Sequence, residues 1–188
     1  MPQTEAADSI VAEEYTTAFG RVWFDSNDFE KALATYEQAD TASMTAHDLS
    51  NYAMAAFFKQ QYQKSLDLVR YGLTRKPGHA PFNRLAFFCC TELKQYDAAR
   101  QYADALFLAS PPTPLFYYDY HYLARFLTAT PHPVGTDKAR LMESYYRLIN
   151  YYLNEKDDKA TARRYAEKLL QLDPEDTVAK QLMQKEGK

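Results

Sequence analysis

The sequence predicts an all-α fold built from repeated pairs of antiparallel helices. Apolar residues recur at steps of three and four along nearly the whole chain, which is the spacing of one helix face. The 188 residues include five glycines, and few windows alternate strictly between polar and apolar residues, as half-buried strands do. A skeleton of aromatic and small residues also returns along the chain, and this indicates a stacked array of similar units.

The repeat is clearest where the stretch "SNDFEKALATYEQAD" is compared with "KQQYQKSLDLVRYGL". The matching aromatic and small positions lie 33 residues apart: Phe29, Ala32, Tyr36 and Ala39 correspond to Tyr62, Ser65, Val69 and Gly72. In the third copy Tyr96 lies 34 residues after Tyr62, which leaves the register there open by one residue. A final copy is expected to contain Tyr146, Ile149, Asn150, Leu153, Ala162, Ala166, Leu169 and Pro174.

Small residues recur because two helices that cross closely leave no room for a larger side chain. A bulky residue at such a crossing costs about 1–3 kcal/mol. The expected pairs are Gly20 with Ala32, Ala53 with Ser65, and Ala86 with Ala98 or Ala99. The aromatic residues then fill the space beside each crossing and between neighbouring hairpins, because one hairpin cannot bury its own apolar face.

Capping signals and periodicity together predict ten helices. Thr45 with Asp48 resembles a capping box, Asp173 precedes a first-turn proline, and "SPPTPL" ends one helix and starts another with Thr113 as its cap. The expected helices are near 7–25, 28–41, 45–59, 62–76, 79–93, 96–109, 114–129, 136–154, 158–171 and 174–186.

These features resemble the tetratricopeptide repeat family, whose pattern is a large residue, a Leu-Gly-like pair, an aromatic, Ala, an aromatic, Ala and a closing Pro. The resemblance rests on "YTTAFGRVWFDSNDFEKALATYEQA", "LSNYAMAAFFKQQYQKSLDLVRYGLTRKP", "FNRLAFFCCTELKQYDAARQYADALF" and "YYRLINYYLNEKDDKATARRYAEKLLQLDP". It implies one right-handed α-α superhelix over 1–188. The expected repeats are near 13–45, 46–78, 79–112 and 143–176, with an irregular part at 113–142 and a capping helix at 174–186.

The irregular part departs from the family pattern because Ala124 and Asn150 are too close for a full repeat. Either the fourth unit has lost its second helix, or helix 136–154 serves as the second helix of one pair and the first of the next. The charged end of the chain, "EDTVAKQLMQKEGK", is expected to act as a solvated cap and to favour a chain that ends here.

The family resemblance also implies a binding surface, because the first helices of successive pairs line a groove that commonly holds a peptide or a helix. The positions carried over are Thr17, Arg21, Phe24, Ser50, Met54, Phe57, Phe58, Asn83, Phe87, Cys90, His121 and Arg125. Such a wall, apolar with a few cations, suits an amphipathic or aromatic segment. The alternative for Phe57, Phe58 and Phe87 is that they only pack between helices.

Some members of the family hold a chain-terminal carboxylate with two Lys, two Asn and one Arg. Asn51 and Arg84 occupy two of these five positions and join the groove candidates, but Thr17, Arg21 and Ala80 stand where Lys, Asn and Lys are expected. Loss of both lysines removes the charge-assisted bonds to a terminus, so this clamp is not expected.

The sequence predicts no enzyme activity, no cofactor and no metal site. The four histidines are scattered without a metal-binding spacing, and no GxGxxG, GxxxxGK[ST] or GxSxG motif occurs. Cys89 and Cys90 are adjacent in an apolar helical window, which predicts core thiols. The cluster "FYYDYHY" at 116–122 is expected either to bury its rings or to form an aromatic contact surface.

A formal charge of −3 argues against nucleic acid as a partner, and no apolar run is long enough to cross a bilayer. The expected protein is soluble, in the cytoplasm or, if a signal has been removed, in a bacterial periplasm. The expected function is a non-catalytic module or scaffold that binds a protein or peptide. The alternatives are self-assembly through end helices, with weak homo-oligomers, and a regulatory segment of a longer enzyme or cell-envelope protein.

Overall fold

The structure, a computed structural model, describes residues 15–106, 115–129 and 135–184. These residues form ten helices and no strand, which confirms the all-α fold class. The helices are α1 (15–25), α2 (Phe29–Tyr36), α3 (Ala46–Phe58), α4 (Tyr62–Arg75), α5 (Ala80–Glu92), α6 (Tyr96–Leu106), α7 (Tyr117–Ala129), α8 (Thr136–Asn154), α9 (Lys159–Leu172) and α10 (Thr177–Gln184). The expected cap Thr113 and the outer ends of the first, sixth and last predicted helices lie outside the described residues.

The described helices belong to two compact units. In unit 1, which holds α1 to α6, each helix from α2 onward packs on the next along the chain, and α3 also contacts α5. In unit 2, which holds α7 to α10, α7 likewise packs on α8, α8 packs on α9, and α9 packs on α10. Packing between sequence neighbours is the arrangement of a helical solenoid, in which each element buries its apolar face on the following one.

The turns inside the first three helix pairs are copies of one another. Asn27, Gln60 and Lys94 each have a positive φ, near 60°, directly after the first helix of their pair. The next residue donates its N–H to a carbonyl five residues earlier in each turn, for example Gln61 to Ala56 at 2.9 Å. This is the Schellman ending of a helix. The spacing of these turns, 33 and then 34 residues, settles the register of the third copy that the sequence left open.

The turn between α8 and α9 is one residue longer, and it corrects the predicted register of the final copy. Asp158 N–H donates to the carbonyl of Tyr152, six residues earlier, and Asp157 carries the positive φ. Helix α8 therefore buries Tyr145, Leu148 and Ile149, while Asn150, which was expected in the repeated pattern of the final copy, is exposed. The pattern of buried residues in α8 therefore differs from the one that the predicted repeat alignment requires.

Helix α10 also begins later than predicted. The sequence places a cap at Asp173 and the first turn at Pro174, but Pro174 lies in a turn and α10 starts at Thr177. The capping carboxylate belongs to Asp176, which accepts the N–H of Ala179 at 2.8 Å. Asp176 also accepts a hydrogen bond from the hydroxyl of Tyr146 in α8, so the cap is joined to the body of unit 2.

The small residues lie where the helices approach most closely. The buried hydroxyl of Ser65 donates to the carbonyl of Ala53 at 2.7 Å, as the predicted pairing of α3 and α4 requires. At Gly20 the surface that comes close is the ring of Tyr36, one turn beyond the expected Ala32, since a Cβ there would lie 2.6 Å from Cε1 of that ring. Gly72 faces the ring of Phe82 in the same way.

Helix α8 is an interior helix of unit 2. It packs against both α7 and α9, as α4 and α5 in unit 1 each pack against their two sequence neighbours. Its 19 residues make it the longest of the helices whose bounds are fully described. Most of the loop before it, at 130–134, lies outside the described residues.

Replacing Gly72 with Ala is expected to lower the free energy of unfolding by about 1–2 kcal/mol. The new Cβ would lie 2.5 Å from Cε2 of the buried Phe82 ring, which would have to shift, and we expect this cost to exceed the gain of about 1 kcal/mol in helix propensity. Urea unfolding measures the change, with Thr74→Ala on the exposed face of α4 as the control. Combining Gly72→Ala with Phe82→Leu should cost less than the sum of the two. Full additivity would contradict the close contact.

Candidate partner-binding surfaces

Five of the candidates in unit 1 are part of the core, among them Thr17 and Cys90. Phe87 has no exposed surface, and Phe57 and Asn51 are each 8% exposed. The ring of Phe57 packs beside that of Tyr62 at 5.3 Å between centroids and that of Phe88 at 6.2 Å. The burial of Phe57 and Phe87 agrees with the alternative that they pack between helices.

Phe24 and Phe58 form an aromatic cluster at the ends of α1 and α3. Both lie on Phe29 of α2: the ring of Phe58 stacks on it at 4.3 Å, and that of Phe24 meets it edge-on at 5.5 Å. Phe58 remains 42% exposed and Phe24 is half-buried. Ser50, Met54, Asn83 and Arg84 are also half-buried, so six unit 1 candidates keep exposed surface.

Arg21, the remaining candidate of unit 1, forms an ion pair with a buried carboxylate. Its Nε lies 2.8 Å from Oδ1 of Asp48, a side chain that is 2% exposed. Asp48 is the residue that forms the predicted capping box, since its N–H donates to the hydroxyl of Thr45, which in turn donates to its carboxylate. An Arg21→Glu substitution would place two carboxylates together at α3, so it would disturb the fold and not only the surface.

The two candidates of unit 2 line an open cavity of about 310 Å³. We call it the α7–α9 cavity. Helix α7 supplies one wall, α9 the other, and Tyr145 of α8 lies between them. The lining residues are His121, Ala124, Arg125, Thr128, Ala129, Tyr145, Tyr165 and Lys168.

Hydrogen bonds fix the polar groups at the base of this cavity. Thr128 donates to the carbonyl of Ala124 at 2.6 Å, and its hydroxyl lies 2.9 Å from that of Tyr145. Because the proton of Thr128 is used by Ala124, Tyr145 is the donor of the second bond. On the other side the hydroxyl of Tyr165 lies 3.4 Å from Nδ1 of His121.

The lining of the α7–α9 cavity is positively charged. Arg125 lies over the ring of Tyr122 at 5.6 Å and Lys168 over that of Tyr165 at 5.4 Å, and none of the eight lining residues is acidic. Burial raises the pKa of Tyr145 and of Tyr165, so both phenols stay neutral and do not offset the cations. A second cavity, between α7 and α8, holds Arg147 together with the carboxylate of Glu155.

The aromatic residues of the cluster at 116–122 are partly buried and partly exposed. Tyr122 is buried, and the ring of Tyr117 stacks on Tyr151 at 3.7 Å while its hydroxyl bonds that of Tyr152 at 2.5 Å. Burial, reinforced by this hydrogen bond, raises the pKa of Tyr117. Phe116 and Tyr118 are more than half exposed.

The thiols of unit 1 are buried, as predicted. Cys89 and Cys90 are both free and buried in α5, and Sγ of Cys89 lies 3.3 Å from the hydroxyl of Ser65. Burial raises the pKa of Cys89 to about 12, which opposes formation of the nucleophilic thiolate.

Over residues 15–106, 115–129 and 135–184, no group of three or more His, Cys, Asp or Glu side chains has a metal-binding arrangement. No helix in those ranges has the length and apolar character needed to cross a membrane.

Comparison with known proteins identifies the fold. A solved structure described as "MamA MSR-1 C2" matches with a TM-score of 0.61 at 13% identity, over 93% of this chain and 98% of its own. A second, "MamA AMB-1 C2221", matches with a TM-score of 0.61 at 14% identity, over 92% and 99%. MamA contains tetratricopeptide repeats, so the fold of this chain is tetratricopeptide-like. No family model and no curated protein matches the sequence.

The buried thiol predicts how stability depends on pH. Because the folded chain keeps the proton of Cys89 up to about pH 12 and the unfolded chain loses it above about pH 9, the stabilisation is complete below pH 9 and is lost as the pH rises toward 12. Urea unfolding in a thiol-free reductant should show a falling free energy of unfolding over this range. Cys89→Ala should flatten the slope by up to about 1.4 kcal/mol per pH unit. Equal slopes in both proteins would contradict the assignment.

Proposed function

We propose that this protein is a non-catalytic interaction module that binds a peptide or helix of another protein, and that the α7–α9 cavity is a principal contact point. The observation that carries the proposal is that His121 and Arg125, chosen by their positions in the sequence, line one cavity with Tyr165 and Lys168. Arginine and tyrosine contribute strongly at protein interfaces, because they combine apolar surface with hydrogen-bonding groups.

Rigidity of the cavity supports this function. The wall residues are held by packing and by hydrogen bonds that cross from α7 to α8 and from α9 to α7. A partner that binds a preformed wall does not spend binding free energy on ordering it, and this raises affinity for a given contact area. In unit 1, Phe24, Met54, Phe58 and Arg84 are further proposed contacts. The repeated motifs and the shared fold support membership of the tetratricopeptide family.

A photo-crosslinking amino acid at Ala129 tests the proposal in the cell that makes the protein. Ala129 lines the α7–α9 cavity and is exposed, so we expect a covalent adduct with one defined protein. The control places the same amino acid at Lys159, which is exposed on α9 outside the lining. Adding Arg125→Gln and Lys168→Gln should remove the adduct. If Ala129 and Lys159 give the same products, the proposed function is wrong.

Self-assembly is the second candidate, and the exposed face of α1 favours it. Tyr15, Phe19 and Val22 fall on one side of the helix and are 65%, 57% and 58% exposed. Apolar side chains grouped on one helix face in this way are typical of a contact surface. A second copy of the chain is the partner in this hypothesis.

Sedimentation velocity over a wide concentration range separates the two candidates. If α1 mediates self-association, the wild type should form larger species as concentration rises, and Phe19→Glu should abolish them because a charge cannot be buried there unpaired. Phe116→Glu, at a residue of unit 2 that is 65% exposed, serves as the control and should leave association unchanged. A wild type that stays monomeric throughout would eliminate self-assembly.

A further inference from the structure

We infer that the cavity between α7 and α8 binds one ring of a neutral saccharide, through hydrogen bonds to its hydroxyl groups and contact with a tyrosine side chain. We call this space the α7–α8 cavity. Its volume is about 240 Å³, and it shares no lining residue with the α7–α9 cavity. The inference goes beyond the proposed function, because it concerns a different site and a different class of ligand.

One side of α8 supplies the polar side chains of the α7–α8 cavity. Arg147, Asn150 and Asn154 lie at steps of three and four residues, and Glu155 lies just over two turns after Arg147. All four are exposed, so a ligand in the cavity can reach them. Tyr117 and Tyr120 of α7 form the opposite wall.

These polar side chains are not engaged by the fold. In the ranges that the structure describes, none of the four is hydrogen-bonded to another residue, and Arg147 has only a contact with the ring of Tyr120, at 5.9 Å from its centroid. A guanidinium group only donates, a carboxylate only accepts, and the amides of Asn150 and Asn154 do both. A ligand that matches them must offer donors and acceptors together, as hydroxyl groups do.

The charge of the lining favours a neutral ligand. Arg147 and Glu155 are the charged members of the lining, and their charges cancel. An anion near Arg147 would also meet the carboxylate of Glu155, and a cation near Glu155 would meet the guanidinium group. A neutral polar molecule avoids both repulsions and still gains a charge-assisted hydrogen bond from each group.

Tyr120 offers apolar surface beside these polar groups. The rings of Tyr117 and Tyr151 stack on each other at 3.7 Å, and Lys156 lies over Tyr151 at 5.5 Å, so these rings are already partly covered. Tyr120 is half-buried and stacks on no other aromatic ring in the described part of the chain. Its ring can therefore contact the C–H groups on the face of a sugar.

A sugar ring suits this combination better than a peptide main chain does. Neighbouring hydroxyl groups of one ring can bond the guanidinium group, the amides and the carboxylate at once. A main chain can pair with Asn150 and Asn154, but it leaves Arg147 and Glu155 without partners. A volume of about 240 Å³ lies below the usual range for drug-sized ligands and therefore favours a single ring.

Nuclear magnetic resonance titration of the ¹⁵N-labelled protein tests the inference. The probes are the methyl glycosides of glucose, galactose, mannose and N-acetylglucosamine, each added to about 50 mM because a small, open site binds weakly. We expect at least one of them to shift the side-chain amides of Asn150 and Asn154 and the backbone amides of 147–155. The tripeptide Ala-Ala-Ala, acetylated and amidated at its ends, should shift them less.

Matched variants show whether the lining residues are responsible. Asn150→Ala and Asn154→Ala should each weaken binding of the responding glycoside about fivefold, and Tyr120→Leu should weaken it to a similar degree. The controls are Gln171→Ala and Tyr118→Leu, which remove an exposed amide and an exposed ring outside the lining. Both controls should bind as the wild type does, with helix content checked by circular dichroism for all five.

Three results would overturn the inference: no shift with any of the four glycosides, a larger shift with the tripeptide, or unchanged binding in all three lining variants. The crosslinking experiment at Ala129 is independent of these measurements, because Ala129 lies in the other cavity. Failure of the saccharide site would therefore leave the proposed interaction module intact, and loss of the crosslinked adduct would leave the saccharide site intact.

Discussion

The close crossing of paired helices, made possible by side chains of minimal size, is the constraint on which the rest of the structure depends. Ser65 bonds directly to the backbone of α3, and the rings of Tyr36 and Phe82 cover Gly20 and Gly72 at distances that leave no space for a methyl group. Helices this close need short turns of fixed geometry. The repeated Schellman turns at Asn27, Gln60 and Lys94 supply them at the cost of a positive φ in a residue other than glycine.

The helices could be predicted from the three- and four-residue spacing of apolar positions, because this spacing is kept where individual residues vary. Which residues of α8 are buried could not be predicted in the same way. A single additional residue in the turn before Asp158 shifts which residues are buried, and nothing in the composition of 155–158 reveals it. The start of α10 was missed for a related reason, since Asp173 and Asp176 can both cap a helix, and the one that does also accepts a hydrogen bond from Tyr146, a contact that the sequence does not reveal.

The candidate site was predictable only in part, because position on a helix does not determine what covers that face. Phe57 and Phe87 occupy positions expected at a groove, yet neighbouring aromatic rings enclose them. The cavity around His121 and Arg125 also depends on Tyr165 and Lys168, which the sequence analysis did not select. These residues lie some 40 positions further along, and only the packing of α9 beside α8 brings them to the same space.

Arg21 and the cations of the α7–α9 cavity differ in their surroundings. Arg21 compensates a carboxylate that the fold has already buried, so its charge serves stability. Arg125 and Lys168 face each other across a space whose lining has no carboxylate, over a base formed by Tyr145. Tyr145 contacts Thr128 on one wall and Tyr165 on the other, so the packing of α8 links the two walls of the cavity. The stability of the helix stack and the shape of the cavity therefore depend on the same contacts.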